Sequence, residues 1–486
     1  MIANSKSDKI NLFLAFIILL LLSIGTFISN RNSENYYDNS FYYERFNNYK
    51  ISYDKEDYIS AVTGNKVGYN YYSDLARSIV EYQKLYLHGP YHPELSQEDN
   101  PYSQEALDRK IIIQDASYFN GKYYLYWGPL PLVLYIPVKY FFGFYPSDFF
   151  VTSIILFVSL CFFLLFSYKV LNSNTLIFGE TLKKKLIMLM LIFSIIYLNP
   201  LPFLNTFFWS GAHSISRLIG LHLIVLSFLF IHLEGFKKNI NFKNLIFYNF
   251  ICSLSILTKQ NFIIFSFFVG IYTYFILKEK SHQKSKLFFL LFSPLFICLI
   301  VFFSYNYLRF SNIFETGFTF ITNGLDFTNP LNKPIIFSSD IELMFKLIIN
   351  RFYEYFLAFP SMNLESMKFE NNMNTVFDIE VVHSMGNYGI FLAAPYTLLA
   401  MKVPHLIYKN KIDIKEYTMF INFLLTSAMY FVFIGSVTDY GYEILISLLL
   451  ALVVIDERFY TSSKLKIFSF IISLISCFIF TRISIF

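Results

Sequence analysis

Charged residues are scarce in this chain, and that scarcity limits its class. Only 15% of its 486 residues are Asp, Glu, Lys or Arg, whereas soluble domains carry about a quarter. Apolar residues make up 55%, and the mean hydropathy is +0.47. This balance excludes an ordinary soluble domain, so lipid must solvate most of the chain. The net charge of +5 is small, and its lysines lie in short clusters between apolar runs, which is not typical of nucleic-acid binding.

Cysteine and glycine are also sparse, with 4 and 18 residues. The cysteines lie inside apolar segments, with no Cys-x-x-Cys or Cys/His spacing, so neither a disulfide framework nor a zinc site is predicted. Aromatic residues are abundant instead, with 60 Phe and 38 Tyr. Because this abundance extends over the whole chain, a single Tyr is weak evidence of a binding site.

Long apolar runs divide the chain into membrane-spanning segments. The run at 10–29 follows Lys6 and Lys9 and no small-residue cleavage site succeeds it, so it is expected to be a retained first span with a cytoplasmic N-terminus. Ten further runs lie near 149–171, 186–203, 215–235, 244–258, 261–277, 287–304, 388–405, 417–436, 441–456 and 466–485. The sequence therefore predicts an all-α integral membrane protein with about 11 transmembrane helices.

Lysine placement supports this count, because cytoplasmic loops of membrane proteins are rich in Lys and Arg. The basic clusters near 169–185, 237–243, 278–286, 409–415 and 458–466 all fall on one side. The other side receives a large first exterior loop at 30–148 and a second exterior loop at about 305–387. Residues 1–486 are thus expected to form one polytopic membrane domain with two exterior loops.

The apolar stretch 128–143 is ambiguous, since it is short, carries three prolines and contains Lys139. Counting it as a span would move every later lysine cluster outside. We therefore expect a helix that lies along the outer membrane surface or re-enters it. Residues 71–89 predict a second juxtamembrane helix, with Leu75, Ile79 and Tyr82 on one face and its end at Gly89; a plain packing helix is the alternative.

Ionisable residues are rare inside the predicted spans, so any chemistry is expected at the outer surface. In the first loop, Asp99, Asp108 and Asp115 lie in polar, turn-prone segments just before the surface helix. A carboxylate at the boundary between water and lipid can accept a proton from an attacking hydroxyl. The alternative for Asp115 is an Asx turn or helix cap, and Asn120-Gly121 predicts a hairpin close by.

Four basic positions beside the outer ends of spans are candidate phosphate ligands. Arg309 can bind a phosphate bidentately, or it can extend to the interface beside Tyr305 and Tyr307. Lys259 lies in a tight turn on the outer side, although lysines prefer the cytoplasmic side. It could be a phosphate ligand or simply the polar residue that a turn needs. His213 and Arg217 lie at the outer entrance of a span. The alternative for both is a structural role as polar residues at the N-terminus of a helix.

Several segments resemble membrane glycosyltransferases of the GT-C class, which take a sugar from a polyprenyl-phosphate carrier. The segments YSDLARSIV at 72–80, NGKYYLYWGPLPLVLYIPVKYFFG at 120–143 and LTKQ at 257–260 resemble motifs of the aminoarabinose-transferase branch. This class also includes the protein O-mannosyltransferases. The resemblance implies a first exterior loop with a catalytic acid and short helices, and a phosphate-binding role for Lys259.

The sequence departs from that pattern at Gly68 and Tyr69, which stand where the family carries its acidic pair. A closer likeness is to bacterial membrane proteins of the same broad class. It rests on DNPY at 99–102, on residues 115–131 and on Tyr-Asn-x-x-Arg-Phe at 305–310.

The resemblance and the residues together predict an inverting glycosyltransferase in a bacterial cell membrane. Its partners would be a polyprenyl-phosphate sugar donor and a glycan or protein acceptor, with no nucleic acid. Asp115 or Asp99 would deprotonate the acceptor hydroxyl. The phosphate ligands would be Lys259 and Arg309, with Arg217 and Lys122, and Tyr126 and neighbouring aromatic rings would contact a sugar or isoprenoid. The sequence identifies no certain cofactor; a divalent metal is possible, but no paired-acid ligand spacing compels it.

Two alternatives remain at this level. A glycan polymerase or ligase with a diphosphate-linked donor would have its large exterior loop late in the chain, whereas here the large loop is early. A transporter or flippase of lipid-linked sugars would need a polar cavity at mid-membrane and an internal repeat.

Overall fold

The computed structural model describes residues 71–87, 99–103, 105, 116–146, 151, 154–155, 158, 161, 211–235, 240–278, 284–322, 341–357, 361–363, 368–370, 408–409, 412–431 and 438–459. Outside these residues lie the predicted spans at 10–29, 186–203, 388–405 and 466–485, and most of 149–171. Asp108 and Asp115 also lie outside them. Of His213, only the helical backbone is described.

The described residues are mostly helical, which agrees with the predicted all-α class. The helices are α1 (Tyr71–Tyr82), α2 (Leu132–Phe142), α3 (Gly211–Gly235), α4 (Phe242–Ser253), α5 (Ile263–Lys278), α6 (Lys284–Phe310), α7 (Ile341–Phe352), α8 (Ile414–Phe431) and α9 (Thr438–Phe459). Two short antiparallel hairpins pair β1 (Ser117–Phe119) with β2 (Lys122–Tyr124), and β3 (Ser361–Asn363) with β4 (Lys368–Glu370).

Three described segments are long and apolar enough to cross a membrane: Ile215–Gly235, Gln260–Lys278 and Lys284–Phe310. They match the predicted runs at 215–235, 261–277 and 287–304. The third prediction ended too early, because α6 continues to Phe310. Its last turns stay helical since Asn306 and Arg309 are buried there, at 0% and 3% exposure, instead of facing a polar boundary.

A helix break separates α4 from α5. After Ser253 the chain tightens into a 3₁₀ turn at Leu254–Leu257, extends at Lys259 and forms a second 3₁₀ turn at Gln260–Phe262. The Thr258 hydroxyl donates to the Ser255 carbonyl at 2.6 Å, which stabilises the bend locally. The tight turn predicted around Lys259 is therefore present.

The larger hydrophobic core lies between α3, α4, α5, α6, α8 and α9. Its fully buried side chains include Phe228, Phe262, Leu291, Met419 and Ile446. Residues of the predicted second loop also join this core, because the π-helical turn Tyr353–Leu357 that follows α7 packs on α8.

A second core joins the first loop to the start of α3. It contains Tyr72 and Leu75 of α1, Trp127 after the hairpin, Tyr135 of α2, and Leu218 of α3. The first-loop elements therefore pack on one end of the helical bundle, which we call the loop-facing end.

The predicted helix at 71–89 is present but shorter than expected. Helix α1 ends at Tyr82, since Gln83 adopts the left-handed conformation with φ 55° and the chain turns there. Leu75 is fully buried, as the apolar pattern predicted, but Tyr82 is 44% exposed. The end predicted at Gly89 was therefore wrong.

The hairpin and the short apolar helix follow the sequence more closely. Asn120 and Gly121 both have positive φ, 48° and 72°, which is the type I′ turn that an Asn-Gly pair favours. Helix α2 has 11 residues, contains Pro137 and ends at Gly143. At 1.5 Å per residue it is about 16 Å long, too short to cross a hydrocarbon core of about 30 Å alone. Its position along a membrane stays a prediction.

Candidate functional site

Residues 125–130, which we call the docking segment, attach the first loop to the helix break. The Gly128 amide donates to the Thr258 carbonyl at 2.9 Å, and the Leu130 amide donates to the Leu257 carbonyl at 2.9 Å. A Cβ on Gly128 would lie 2.1 Å from the Leu257 oxygen. Only glycine therefore permits this approach of one backbone to another.

Helices α1 and α3 fix the same segment from another side. The Tyr72 phenol donates to the Gly128 carbonyl at 2.9 Å, and its oxygen lies 2.5 Å from the Ser216 hydroxyl oxygen. Because a phenol has one proton, Ser216 must be the donor in the second bond. Tyr72 thus links the docking segment to the start of α3.

Helix α6 binds the docking segment through Arg309. The buried guanidinium donates to the Leu125 carbonyl and to the Asn306 side-chain oxygen, the latter at 2.8 Å. Its carbon also lies 3.9 Å from the centre of the Tyr305 ring, a cation–π contact. Arg309 therefore holds two segments together, which the sequence did not indicate, and its role as a phosphate ligand stays a prediction.

The hairpin is also tied to the chain that follows α6. The Thr322 amide and hydroxyl both donate to the Ala116 carbonyl at 2.8 Å, and the Ser117 hydroxyl donates to the Gly317 carbonyl at 2.7 Å. Ala116 is fully buried. Asp115 lies outside the described residues, but its chain neighbour is firmly anchored beside residues 317–322.

Lys259 forms a buried ion pair at the helix break. Its ammonium lies 2.6 Å from a carboxylate oxygen of Glu443, and the two side chains are 6% and 0% exposed. Glu443 belongs to the second turn of α9 and was not singled out from the sequence. The available signal was an acid inside the apolar run 441–456, since ionisable residues in such runs usually have a function or a partner.

The other predicted polar residues are distributed around this region. Arg217 is 4% exposed in α3, directly after Ser216. Lys122 is exposed on β2, with its ammonium 4.9 Å from the centre of the Tyr86 ring. Asp99 is exposed, in the segment that Tyr102 attaches to the hairpin through a hydrogen bond to the Tyr118 carbonyl. Their predicted roles in catalysis or binding stay predictions.

Aromatic rings line the docking segment. Tyr126 is half-buried, with its ring centre 4.1 Å from that of Trp127. Tyr123, Tyr124 and Trp127 are buried, so of these four rings Tyr126 is the most accessible to a ligand. Burial raises the pKa of Tyr124 above its ordinary value, so its phenol stays protonated and can donate a hydrogen bond.

No group of three or more His, Cys, Asp or Glu side chains that could hold a metal occurs within the part of the chain that the structure describes. Among the predicted phosphate ligands, Lys259 lies at the helix break and Arg309 binds the docking segment. Of the segments with family resemblance, 72–80, 257–260 and 305–310 each form a hydrogen bond to the segment 120–143, although up to 184 residues separate the bonded partners.

Comparison with family models, with curated proteins and with solved structures finds no match to this chain.

The docking of Gly128 can be tested with Gly128→Ala. The new methyl group must displace the Leu257 carbonyl, so both backbone hydrogen bonds are expected to break, lowering the free energy of unfolding by about 2–3 kcal/mol. Thermal unfolding of the purified chain in detergent measures this. Gly270→Ala on α5 is the control, because the nearest atoms there belong to a Phe292 ring that can move. Equal effects of both substitutions would contradict the close approach.

The Lys259–Glu443 pair can be tested with a double-mutant cycle. Lys259→Met leaves a buried carboxylate without its cation, and we expect a loss of about 3–5 kcal/mol in unfolding free energy. Adding Glu443→Gln removes the stranded charge and should recover part of that loss. Additive losses from the two substitutions would show that the side chains do not interact.

The exposed pair Lys346–Glu342 on α7 is the matched control for this cycle. It has the same 2.6 Å separation, but its side chains are 42% and 77% exposed. Lys346→Met should therefore change stability by less than about 1 kcal/mol.

Proposed function

We propose that this chain is a polytopic membrane glycosyltransferase of the GT-C class. It would transfer a sugar from a polyprenyl-phosphate donor to a hydroxyl of a lipid-linked glycan, cell-wall polymer or protein, with inversion at the anomeric carbon. One observation carries the proposal: the segments that resemble this class are distant in sequence, yet hydrogen bonds join them around the docking segment. Such convergence is expected if they serve one site.

The proposed topology has about eleven spans, with the loop-facing end at the exterior surface of a bacterial cell membrane. Three long apolar helices and the one-sided lysine clusters support it. Helix α2 would rest at the lipid boundary. Its exposed apolar side chains Tyr140, Phe141 and Phe142 are each at least 72% exposed and suit the membrane interface.

The proposed reaction is a direct displacement. A carboxylate, Asp115 or failing it Asp99, takes the proton of the acceptor hydroxyl as the oxygen attacks the anomeric carbon. The bond between that carbon and the phosphate oxygen breaks on the opposite face, and polyprenyl phosphate leaves with the electron pair. Asp115 is favoured because its neighbour Ala116 is anchored at the site.

The departing phosphate gains negative charge, which nearby cations can stabilise. Lys259 and Arg309 flank the docking segment, and Arg217 and Lys122 lie on elements that contact it. Because Lys259 binds Glu443 and Arg309 binds the Leu125 carbonyl, a bound phosphate would have to share or replace these contacts.

A flippase for lipid-linked sugars is the second candidate. The buried Lys259–Glu443 pair and polar side chains of α8 and α9 provide part of the polar interior that transporters use. The two candidates differ in chemistry, since a flippase moves its substrate without making or breaking a covalent bond.

Asp115→Asn is the decisive substitution for the transferase. In reconstituted vesicles supplied with a radiolabelled polyprenyl-phosphate sugar and membrane acceptors, transfer should fall about 100-fold or more, because the amide cannot accept the proton. Expression and thermal unfolding should remain as in the wild type. Asp99→Asn tests the alternative base and should retain transfer if Asp115 is the base.

Full activity of Asp115→Asn with loss in Asp99→Asn would assign the base to Asp99. Full activity of both variants would contradict the proposed base. Movement of the labelled lipid across the bilayer by the wild-type chain, with no sugar transferred, would replace the transferase with the flippase.

A further inference from the structure

The helix break is attached to α8 and α9 as well as to the first loop. The Asn261 amide nitrogen donates to the Tyr430 phenol oxygen at 3.3 Å, and Lys259 binds Glu443 at 2.6 Å. Residues 259–261 thus lie between the C-terminal end of α8 and the N-terminal end of α9. The two helices and the break enclose a common region at the loop-facing end.

Several polar side chains of these elements are buried without hydrogen-bond partners among the described residues. On α8 they are Asn422, through both amide atoms, and the hydroxyls of Thr426 and Ser427. On α9 it is the second carboxylate oxygen of Glu443, and at the break it is the side-chain oxygen of Gln260. Asn422, Thr426 and Glu443 are fully buried.

The spacing of these residues makes them neighbours of one region. Asn422, Thr426 and Tyr430 recur at intervals of four residues, so they lie along one face of α8. At 1.5 Å per residue, Thr426 and Asn422 lie about 6 and 12 Å from Tyr430, which contacts the break. Glu443, in the second turn of α9, reaches the same break through its ion pair with Lys259. The polar side chains of α8, Asn422, Thr426 and Ser427, which we call the polar row, therefore extend from the helix break into the bundle.

Unpartnered buried polar atoms are rare in native proteins, because about 90% or more of such groups have a hydrogen-bond partner. Other unpartnered polar atoms occur among the described residues, but these six are grouped on three connected elements, where one polar ligand would satisfy several of them together. Hydrocarbon cannot supply hydrogen bonds, so neither a lipid tail nor the isoprenoid of a donor would satisfy them.

The donors and acceptors that these residues offer favour one class of polar ligand over others. Glu443 and Gln260 offer acceptor oxygens, which disfavour a phosphate because it also mainly accepts hydrogen bonds. A cation is disfavoured because Lys259 already neutralises Glu443. Hydroxyls and an amide that both donate and accept match the hydroxyl groups of a neutral sugar ring.

We propose that Asn422, Thr426, Ser427, Gln260 and Glu443 form the subsite that binds the sugar of the lipid-linked donor. This inference rests on the proposed function for the identity of the ligand. The sugar's hydroxyls donate to the oxygens of Glu443 and Gln260 and exchange hydrogen bonds with the groups on α8. The phosphate stays with the cations near the docking segment.

The test measures binding to the purified full-length chain in lipid nanodiscs. The probes are short-chain polyprenyl phosphates that carry glucose, mannose, galactose or N-acetylglucosamine, and the same polyprenyl phosphate without a sugar. The wild type should bind at least one sugar-bearing probe about tenfold or more tightly than the bare lipid. In the double variant Asn422→Leu/Thr426→Val this advantage should disappear, while affinity for the bare lipid stays unchanged.

Thermal unfolding without ligand gives an independent readout. Replacing unpartnered polar atoms with apolar groups of similar size should leave the unfolding temperature of the double variant equal to or above that of the wild type. A drop of several degrees would mean that these atoms support the fold instead, and would overturn the proposal. Ser427→Ala is a second, smaller substitution in the same group and should also reduce the preference for the sugar-bearing probe.

Thr273→Val on α5 is the matched control. Thr273 is also fully buried, but its hydroxyl donates to the Val269 carbonyl at 2.7 Å. Unlike the hydroxyl of Thr426, it therefore already has a hydrogen-bond partner. This variant should keep the preference for the sugar-bearing probe.

Two results would overturn the subsite: no preference for any sugar-bearing probe in the wild type, or an undiminished preference in the variants. Preferential binding of a sugar-bearing probe with no transfer in vesicles would overturn the transferase and keep the subsite. Transfer by the wild type, together with an unchanged preference in the variants, would keep the transferase and overturn the subsite.

Discussion

The break between α4 and α5 is the constraint on which the rest of the site depends. Where a helix stops inside an apolar core, its last carbonyl groups lose their intrahelical partners, and the surrounding apolar side chains offer no replacement. Leu257 and Thr258 expose two such carbonyls, and the amides of Gly128 and Leu130 satisfy both. The break therefore needs the docking segment.

The remaining contacts of the docking segment follow from that requirement. While the amides of Gly128 and Leu130 bind the break, the carbonyls of Leu125 and Gly128 bind other elements. Arg309 and Tyr72 donate to these two oxygens. The backbone of the segment is thus bound from α1, α6 and the break together, which fixes its position without a long strand or a disulfide.

Local features of this arrangement could be predicted from sequence, and long-range partnerships could not. Asn120-Gly121 requires positive φ at both positions, and the prolines and length of residues 128–143 argue against a span, so the hairpin and α2 were anticipated. The pairing of Lys259 with Glu443 joins residues 184 positions apart. The sequence shows the charge of Arg309 but not its carbonyl partner, so the bond to Leu125 could not be predicted, and the phosphate-binding role stays a prediction.

The Lys259–Glu443 pair lies where the two proposed halves of the donor site meet. On one side are the cations around the docking segment, which suit phosphate, and on the other the neutral polar row of α8. A buried lysine without an anion would be strongly unfavourable, so Glu443 serves as its counterion when no donor is present. A donor phosphate reaching Lys259 would weaken that contact and leave Glu443 better able to accept hydrogen bonds from the sugar. Binding of the phosphate and of the sugar would then be coupled through one carboxylate.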